Sequence, residues 1–119
     1  MGQQVRIVNE TRETVLATRA TVADSFWSRF RGLLGRSELA EGDGLVIEPC
    51  SSVHMLGMTF ALDALHLDRS GTVLRVVPDL RPNRFGPIVK GTHVVLELPS
   101  GTATATGTVA GDRVVIEAV

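Results

Sequence analysis

Hydrophobic and polar residues alternate in several short segments of this chain, and Gly or Pro separates most of the segments. Alternation with a period of two is typical of a β-strand with one buried face, and Val, Ile and Thr favour extended backbone. The pattern predicts seven strands, at residues 5–9, 14–20, 44–48, 62–68, 72–77, 93–98 and 112–118. Seven short strands separated by turns predict a mainly β fold, a single-domain β-sandwich or barrel. The first two strands, and the pair on either side of Arg69-Ser70-Gly71, are close enough in sequence to form hairpins.

One segment follows a helical period instead. Four apolar residues are spaced at i, i+4, i+7 and i+8, which places them on one face of a helix: Phe26, Phe30, Leu33 and Leu34. Asp24 can cap the N-terminus and Gly35 can end the helix, so we expect one short helix in the N-terminal half, from about Ser25 to Leu34.

Residues 102–110, TATATGTVA, alternate Thr with small residues, and an edge strand, a loop or a short helical turn all remain open there.

Composition restricts the class of protein. The 119 residues are enough for one domain, residues 1–119, and 44% hydrophobic with 21% charged residues is typical of an ordinary globular chain. The formal net charge of -1 gives no support to a nucleic-acid or anionic-membrane partner, since both require a positive face. No apolar run approaches the length of a membrane span, so we expect no membrane association. The motifs of common cofactor sites are absent, so we expect no cofactor.

The cysteine count and the first residues bear on the compartment. A single cysteine, Cys50, excludes an internal disulfide and is compatible with a reducing environment. The chain starts with MGQQVRIVNE, which lacks the charged start and apolar stretch of a secretory signal. We therefore expect a cytoplasmic protein, with a signal that has been removed as the alternative.

Two acidic residues occupy apolar strand faces. Asp63 shares a predicted face with Leu65 and Leu67, and Glu97 is flanked by apolar residues in HVVLEL. A carboxylate in such a place needs a partner or it protonates, and the nearest basic candidates are Arg29 and Arg31. These four residues could form a ligand site or a general acid/base pair. The alternative is a buried ion pair that only joins helix and sheet.

A second cluster of reactive side chains lies in PCSSVHMLGM, residues 49–58. Cys50 and His54 could act as a nucleophilic pair, and Met58 could add a thioether to a metal site. C-x₃-H without a second ligand pair is weak support for zinc, so we predict no stoichiometric metal. The alternative is that the thiol and the methionines fill the core.

Residues 50–60 also offer a binding loop. Ser52 and His54 supply donors and acceptors beside apolar methionines, a mixture typical of small-molecule pockets. A further loop, residues 81–87, carries Arg81, Arg84 and Phe85 among Pro and Gly, where these side chains could hold an anion or stack on a ring. The alternative for residues 81–87 is a solvated connection without a binding role. The alternative for residues 50–60 is that the loop only closes one end of the core.

Four segments in this order resemble the prokaryotic domain of unknown function family 192, over roughly residues 10–118. They are RFRGLLGR (29–36), GLVIEPCSSVHMLGMTFALDALHLD (44–68), VLELPSG (95–101) and GDRV (111–114). Within them, Asp63 matches the acid of the family's central motif. Glu97 matches the Glu of the family's L-E-L segment, and Gly111-Asp112 matches the family's G-D pair. Ala61 stands where the family usually has Pro, and His66 where it usually has an aromatic residue.

The resemblance implies a compact, β-rich, jelly-roll-like domain with a short helical turn between Gly101 and Gly111, and it implies no activity. From the residues we expect a binding module for a small ligand or a protein partner. One alternative is a small hydrolase that uses Asp63 and Glu97 or Cys50 and His54. Another is a scaffold without a pocket that presents an exposed strand edge.

Overall fold

The computed structural model describes residues 3–23 and 38–119, and these residues form seven strands and one short helix. The elements are β1 (Gln4–Asn9), β2 (Thr14–Ala23), β3 (Asp43–Ile47), β4 (Leu62–Leu67), β5 (Val73–Leu80), β6 (Val94–Pro99), α1 (Thr102–Thr106) and β7 (Val114–Ala118). The seven predicted strands are confirmed. The helix predicted at 25–34 lies outside the described residues.

The strands form one sheet in the order β5-β4-β6-β3-β2-β1-β7. β2 and β3 are parallel and the other neighbours are antiparallel, including the two predicted hairpins β1–β2 and β4–β5. The sheet curls until its edge strands meet at one end, where Thr72 bridges Arg113 and the Val73 N–H donates to the Asp112 carbonyl at 2.8 Å. The mainly β single domain is confirmed, and the single curled sheet corresponds to the barrel alternative.

β4 lies between β5 and β6 and is buried along its whole length. Its side chains alternate between the two faces of the sheet, so each face has its own hydrophobic cluster. The first cluster includes Leu65, Leu67, Ile7, Val46, Leu96 and Leu98. The second cluster includes Leu62, Ala64, Leu45, Ile47, Val53, Met55, Met58 and Val95. Any polar residue on β4 is therefore placed inside a core.

β5 continues through Pro78, where the sequence predicted a stop. Ala64 pairs with Val77 and Leu62 with Leu80, so β5 carries one extra residue in a bulge at this point. A proline is tolerated because β5 is an edge strand and a bulge needs fewer ladder hydrogen bonds. The bulge directs the backbone N–H of Asp79 towards Asp63.

α1 is a single turn built from Thr and Ala, in the segment where three alternatives were open and the family resemblance implied a helical turn. Thr is a poor helix former, so local caps determine the structure. Gly101 and Gly107 bound the turn in the left-handed region, at φ 95° and 69°. The buried carboxylate of Asp63 accepts the Ala103 N–H at 2.9 Å and so binds one of the free donors of the first turn.

Candidate functional site

Asp63 holds two segments of the backbone. Its side chain is fully buried, as the apolar strand face predicted. Oδ1 accepts the Asp79 N–H and Oδ2 accepts the Ala103 N–H, both at 2.9 Å. Hydrogen bonds to a charged oxygen stabilise by about 1.5–3 kcal/mol each, so this carboxylate fixes the β5 bulge and the start of α1.

Glu97 on β6 is also fully buried, but it faces the other side of the sheet. The register pairs Ala64 with Glu97 and Asp63 with Leu98, and paired residues share a face. Asp63 therefore points to the first cluster and Glu97 to the second, and the structure does not form one site from both. The physical reason is that side chains at successive strand positions point to opposite faces of the sheet. Arg29 and Arg31, the predicted cationic partners, lie outside the described residues, so their ion pairs stay a prediction.

Two loops beside the sheet form a short ladder of their own. The Met55 N–H donates to the Arg84 carbonyl, and the Met55 carbonyl accepts the Asn83 N–H, each at 2.8 Å. We call residues 49–57 and 83–88 the cavity loops, because residues of both segments line one cavity. Because backbone hydrogen bonds join them, they are held as one unit rather than as two separate connections.

The ladder requires close approach at one glycine. The Gly86 N–H donates to the Val53 carbonyl at 2.9 Å, and a Cβ on Gly86 would lie 2.9 Å from that same oxygen. Ser52 adds a side-chain tie, since its hydroxyl donates to the Pro87 carbonyl at 2.9 Å. Any side chain at Gly86 would push the loops apart and open the ladder.

The cavity loops and the end of β3 line a half-open cavity of about 240 Å³. Its described lining residues are Ile47, Pro49, Cys50, Ser52, Val53, His54 and Phe85. The structure thus brings together three of the predicted site residues, Cys50, Ser52 and His54. The predicted binding loop has a concave surface, as expected, but Asp63 is not part of that surface.

The polar groups of the cavity have defined orientations. The Cys50 thiol donates to the Ser52 carbonyl at 3.1 Å. Nδ1 of His54 accepts the Leu56 N–H at 3.2 Å. The His54 and Phe85 rings are tilted against each other, at a centroid distance of 6.2 Å and an interplanar angle of 56°. Together these contacts form one side of the cavity, with a few hydrogen-bonding groups in fixed positions.

Met58, a predicted binding residue, lies elsewhere. It is buried in the second cluster with Leu62 and Ala64, so it fills the core. Across residues 3–23 and 38–119, no three His, Cys, Asp or Glu side chains are close enough to hold a metal ion. That the purified protein carries no metal stays a prediction.

Sequence reasoning missed a buried polar network near the C-terminus. Asn9 Nδ2 donates to Thr108 Oγ1 and to Asp112 Oδ2, both at 3.0 Å. Arg12 donates to the same Asp112 oxygen at 3.0 Å, and this bond is the main reason that the pKa of Asp112 falls from 3.8 to about 2. The Gly111-Asp112 pair was the available signal, but nothing in the sequence pointed to Asn9.

Two further residues that the sequence analysis named, His66 and Phe85, have contrasting environments. His66 is fully buried on β4, its Nδ1 lies 3.0 Å from Thr92 Oγ1, and within the described chain its Nε2 has no hydrogen-bond partner. Burial, with a smaller contribution from Arg75, lowers its pKa below 6.5. Phe85 is 72% exposed although it lines the cavity. A lone aromatic in a Pro- and Gly-rich loop was its sequence signal.

Comparison with known proteins agrees with the fold and the motifs. The model of the family DUF192, described as "Uncharacterized ACR, COG1430", matches residues 7–116. A UPF0127 protein of Thermococcus sibiricus is 30% identical over 115 residues, which is 91% of this chain and 72% of that protein.

Among the described residues, no helix is both long and apolar enough to span a membrane.

Two crystal structures share the fold. A protein of unknown function from Novosphingobium aromaticivorans has a TM-score of 0.77 and 23% identity, covering 94% of this chain and 83% of that one. A protein from Sinorhizobium meliloti described as a "putative transcription regulator" has a TM-score of 0.78 and 22% identity, covering 98% and 94%. The family match spans nearly the whole chain and includes each of the sequence motifs identified above. The chain therefore belongs to the DUF192 family.

Proposed function

We propose that this protein is a binding module whose cavity accepts a small, mostly apolar ligand. The cavity of about 240 Å³ between the cavity loops and β3 carries the proposal. Apolar walls from Ile47, Val53 and Phe85 surround a few fixed polar groups, the mixture that small-molecule sites use. An apolar cavity of about 150 Å³ holds benzene, so this one has room for a substituted ring.

The rigidity of the lining supports binding. The ladder between the cavity loops and the Ser52 tie to Pro87 fix the walls before a ligand arrives. A preformed site loses less conformational entropy on binding than a loop that must fold around its ligand. The His54–Phe85 ring pair offers a ready stacking edge.

The same contacts favour binding over the hydrolase alternative. Asp63 and Glu97 face opposite sides of the sheet, and both oxygens of Asp63 accept backbone N–H groups. An acid/base pair therefore has less support than a binding wall.

Benzamide, a neutral substituted ring, tests the proposal. Its affinity is measured from amide chemical shifts for the wild type, Phe85→Ala and Ile88→Ala. Phe85 and Ile88 are 72% and 84% exposed, so neither truncation threatens the fold, but only Phe85 lines the cavity. We expect about tenfold weaker binding in Phe85→Ala, from loss of an aromatic wall, and unchanged binding in Ile88→Ala.

Two results would contradict the proposal. One is the absence of any saturable shift with benzamide at millimolar concentrations. The other is equal affinity in the wild type and Phe85→Ala, which would place the probe outside the cavity.

A further inference from the structure

The outer edge of β5 contains an open segment. β5 is at one edge of the sheet, and its ladder partner is β4. In an antiparallel pair, every second residue directs its N–H and C=O away from the partner strand. Within the described ranges, residues 74–77 form no hydrogen bond on that outer side. This segment therefore presents unused backbone donors and acceptors, with which a further strand can pair.

Both ends of the open segment are fixed to the chain that faces it. At one end, the Val73 N–H donates to the Asp112 carbonyl at 2.8 Å. At the other end, the carboxylate of Asp63 accepts the Asp79 N–H of β5 and the Ala103 N–H of α1, each at 2.9 Å. These contacts set the distance between β5 and the α1 segment in advance, which lowers the entropic cost of binding between them.

An open groove of about 610 Å³ lies between β5 and residues 103–110. Its β5 wall consists of Leu74, Arg75, Val76 and Pro78. The opposite wall consists of small side chains and of Val109, which is 48% exposed. Small side chains leave space for the backbone of another chain. Because proline has no N–H, Pro78 ends the usable edge, so an added strand has about four residues of β5 to pair with.

The groove carries one uncompensated positive charge. Arg75 itself lines the groove and is exposed, and across residues 3–23 and 38–119 no carboxylate lies within ion-pair distance of it. None of the described lining residues is Asp or Glu. The acids at the two ends are engaged, since Asp79 lies 2.9 Å from Arg81 and Asp112 lies 3.0 Å from Arg12. The charge of Arg75 is thus complementary to a carboxylate on an added strand.

We propose that this groove binds a short extended segment of a partner protein, which pairs with β5 as an added strand and places an acidic side chain beside Arg75. The inference is independent of the cavity and of its ligand. A second copy of this chain is a poorer occupant, because residues 74–77 contain an arginine and no acid. Symmetric pairing over so short an edge would bring two arginines together, which is unfavourable.

Three capped pentapeptides test the proposal: acetyl-Thr-Val-X-Val-Thr-amide, in which X is Glu, Gln or Lys. Affinities are measured from amide chemical shifts at about 20 mM and about 300 mM salt. We expect saturable shifts at residues 74–77 and 103–110. The Glu peptide should bind about twofold to fivefold more tightly than the Gln peptide at low salt, the Lys peptide should bind most weakly, and the differences should shrink at high salt.

N-methylated forms of the Glu peptide test the backbone pairing. An added strand uses only one of its two edges, and alternate residues direct their N–H groups to opposite edges. N-methylation of the first, third and fifth residues should therefore differ in effect from N-methylation of the second and fourth. One pattern should abolish binding, and the other should leave it nearly unchanged.

A variant pair tests the charge. Arg75→Gln should bind the Glu and Gln peptides equally and should bind the Gln peptide as the wild type does. Arg84→Gln is the matched control, because Arg84 is also an exposed arginine but is not part of the groove. It should keep the preference for the Glu peptide.

Five results would overturn the proposal. The first three are the absence of saturable shifts with any of the peptides, equal effects of the two methylation patterns, and a Glu preference that survives in Arg75→Gln. The fourth is binding of N-acetylglutamate amide as tightly as the pentapeptide, which would assign the groove to a small acid. The fifth is a dimer in sedimentation velocity with amide changes at residues 74–77, which would assign the edge to a second copy. None of these results bears on the cavity, so the proposed function is tested separately.

Discussion

The α1 segment and the cavity loops both collect polar side chains, but they bury them to different extents. Around α1, Asp63 and Asp112 are buried and their oxygens accept backbone N–H groups and protein side chains. In the cavity loops, Ser52 and His54 are only half-buried and border an apolar hollow. A polar residue is thus informative through its burial: fully buried groups that bond to the protein itself specify the fold, whereas half-buried groups beside a concave apolar wall keep surface that can meet a ligand.

The largest expected effect is at Asp63. Asp63→Asn replaces one acceptor oxygen with an amide that faces a backbone N–H, and we expect it to cost about 3–5 kcal/mol of unfolding free energy. Asp79→Asn is the control, since its exposed ion pair stabilises by about 0–1 kcal/mol and Asn tolerates its φ of 49°. Urea denaturation of both variants measures the difference. Equal stability of the two would show that Asp63 does not anchor α1.

Asp112→Asn should cost somewhat less, about 2–3 kcal/mol, because Asn9 and Thr108 can still hydrogen-bond to each other. Glu117→Gln, which removes only an exposed contact of 3.8 Å to Arg6, is its control.

Acid denaturation gives a second readout at Asp112. The folded pKa of about 2 lies below the ordinary 3.8, so its stabilisation is complete above pH 3.8 and is lost as the pH falls towards 2. The Asn variant should lose part of that dependence. An unchanged acid profile would contradict the role given to Asp112.

His66 extends the comparison to neutral pH. Its folded pKa is lowered below 6.5 by burial, so the unfolded chain takes up protons first as the pH falls. Stability should therefore decline below about pH 6.5, and His66→Phe, which keeps an aromatic ring without a titrating group, should flatten this decline. His93→Gln should retain it. A His66→Phe protein with the wild-type pH profile would assign the decline to another group.

The smallest effect on stability is expected at the cavity. Phe85→Ala should change the free energy of unfolding by no more than about 0.5 kcal/mol, because the ring is mostly exposed. The same variant should lose most of its benzamide binding. A loss of stability comparable to that of Asp112→Asn would mean that Phe85 belongs to the fold rather than to a site.

Local pattern was enough to predict the strands, because alternation and turn residues specify which segments extend. It also predicted the burial of Asp63 and Glu97, but not that adjacent register positions place them on opposite faces, since pairing is decided by contacts between distant segments. Helix propensity could not predict α1 for a similar reason. The group that caps its first turn is Asp63, about forty residues earlier in the chain. Cys50, Ser52 and His54 were found because they are close in sequence, whereas Phe85 reaches them only through the ladder.

A map of amide chemical shift changes on addition of benzamide to the wild-type protein compares the two regions in a single experiment. The account predicts that the amides of Cys50, Ser52, His54 and Phe85 move in a saturable way and that those of residues 101–112 stay unchanged. The largest changes at residues 101–112, or none at the cavity loops, would contradict it.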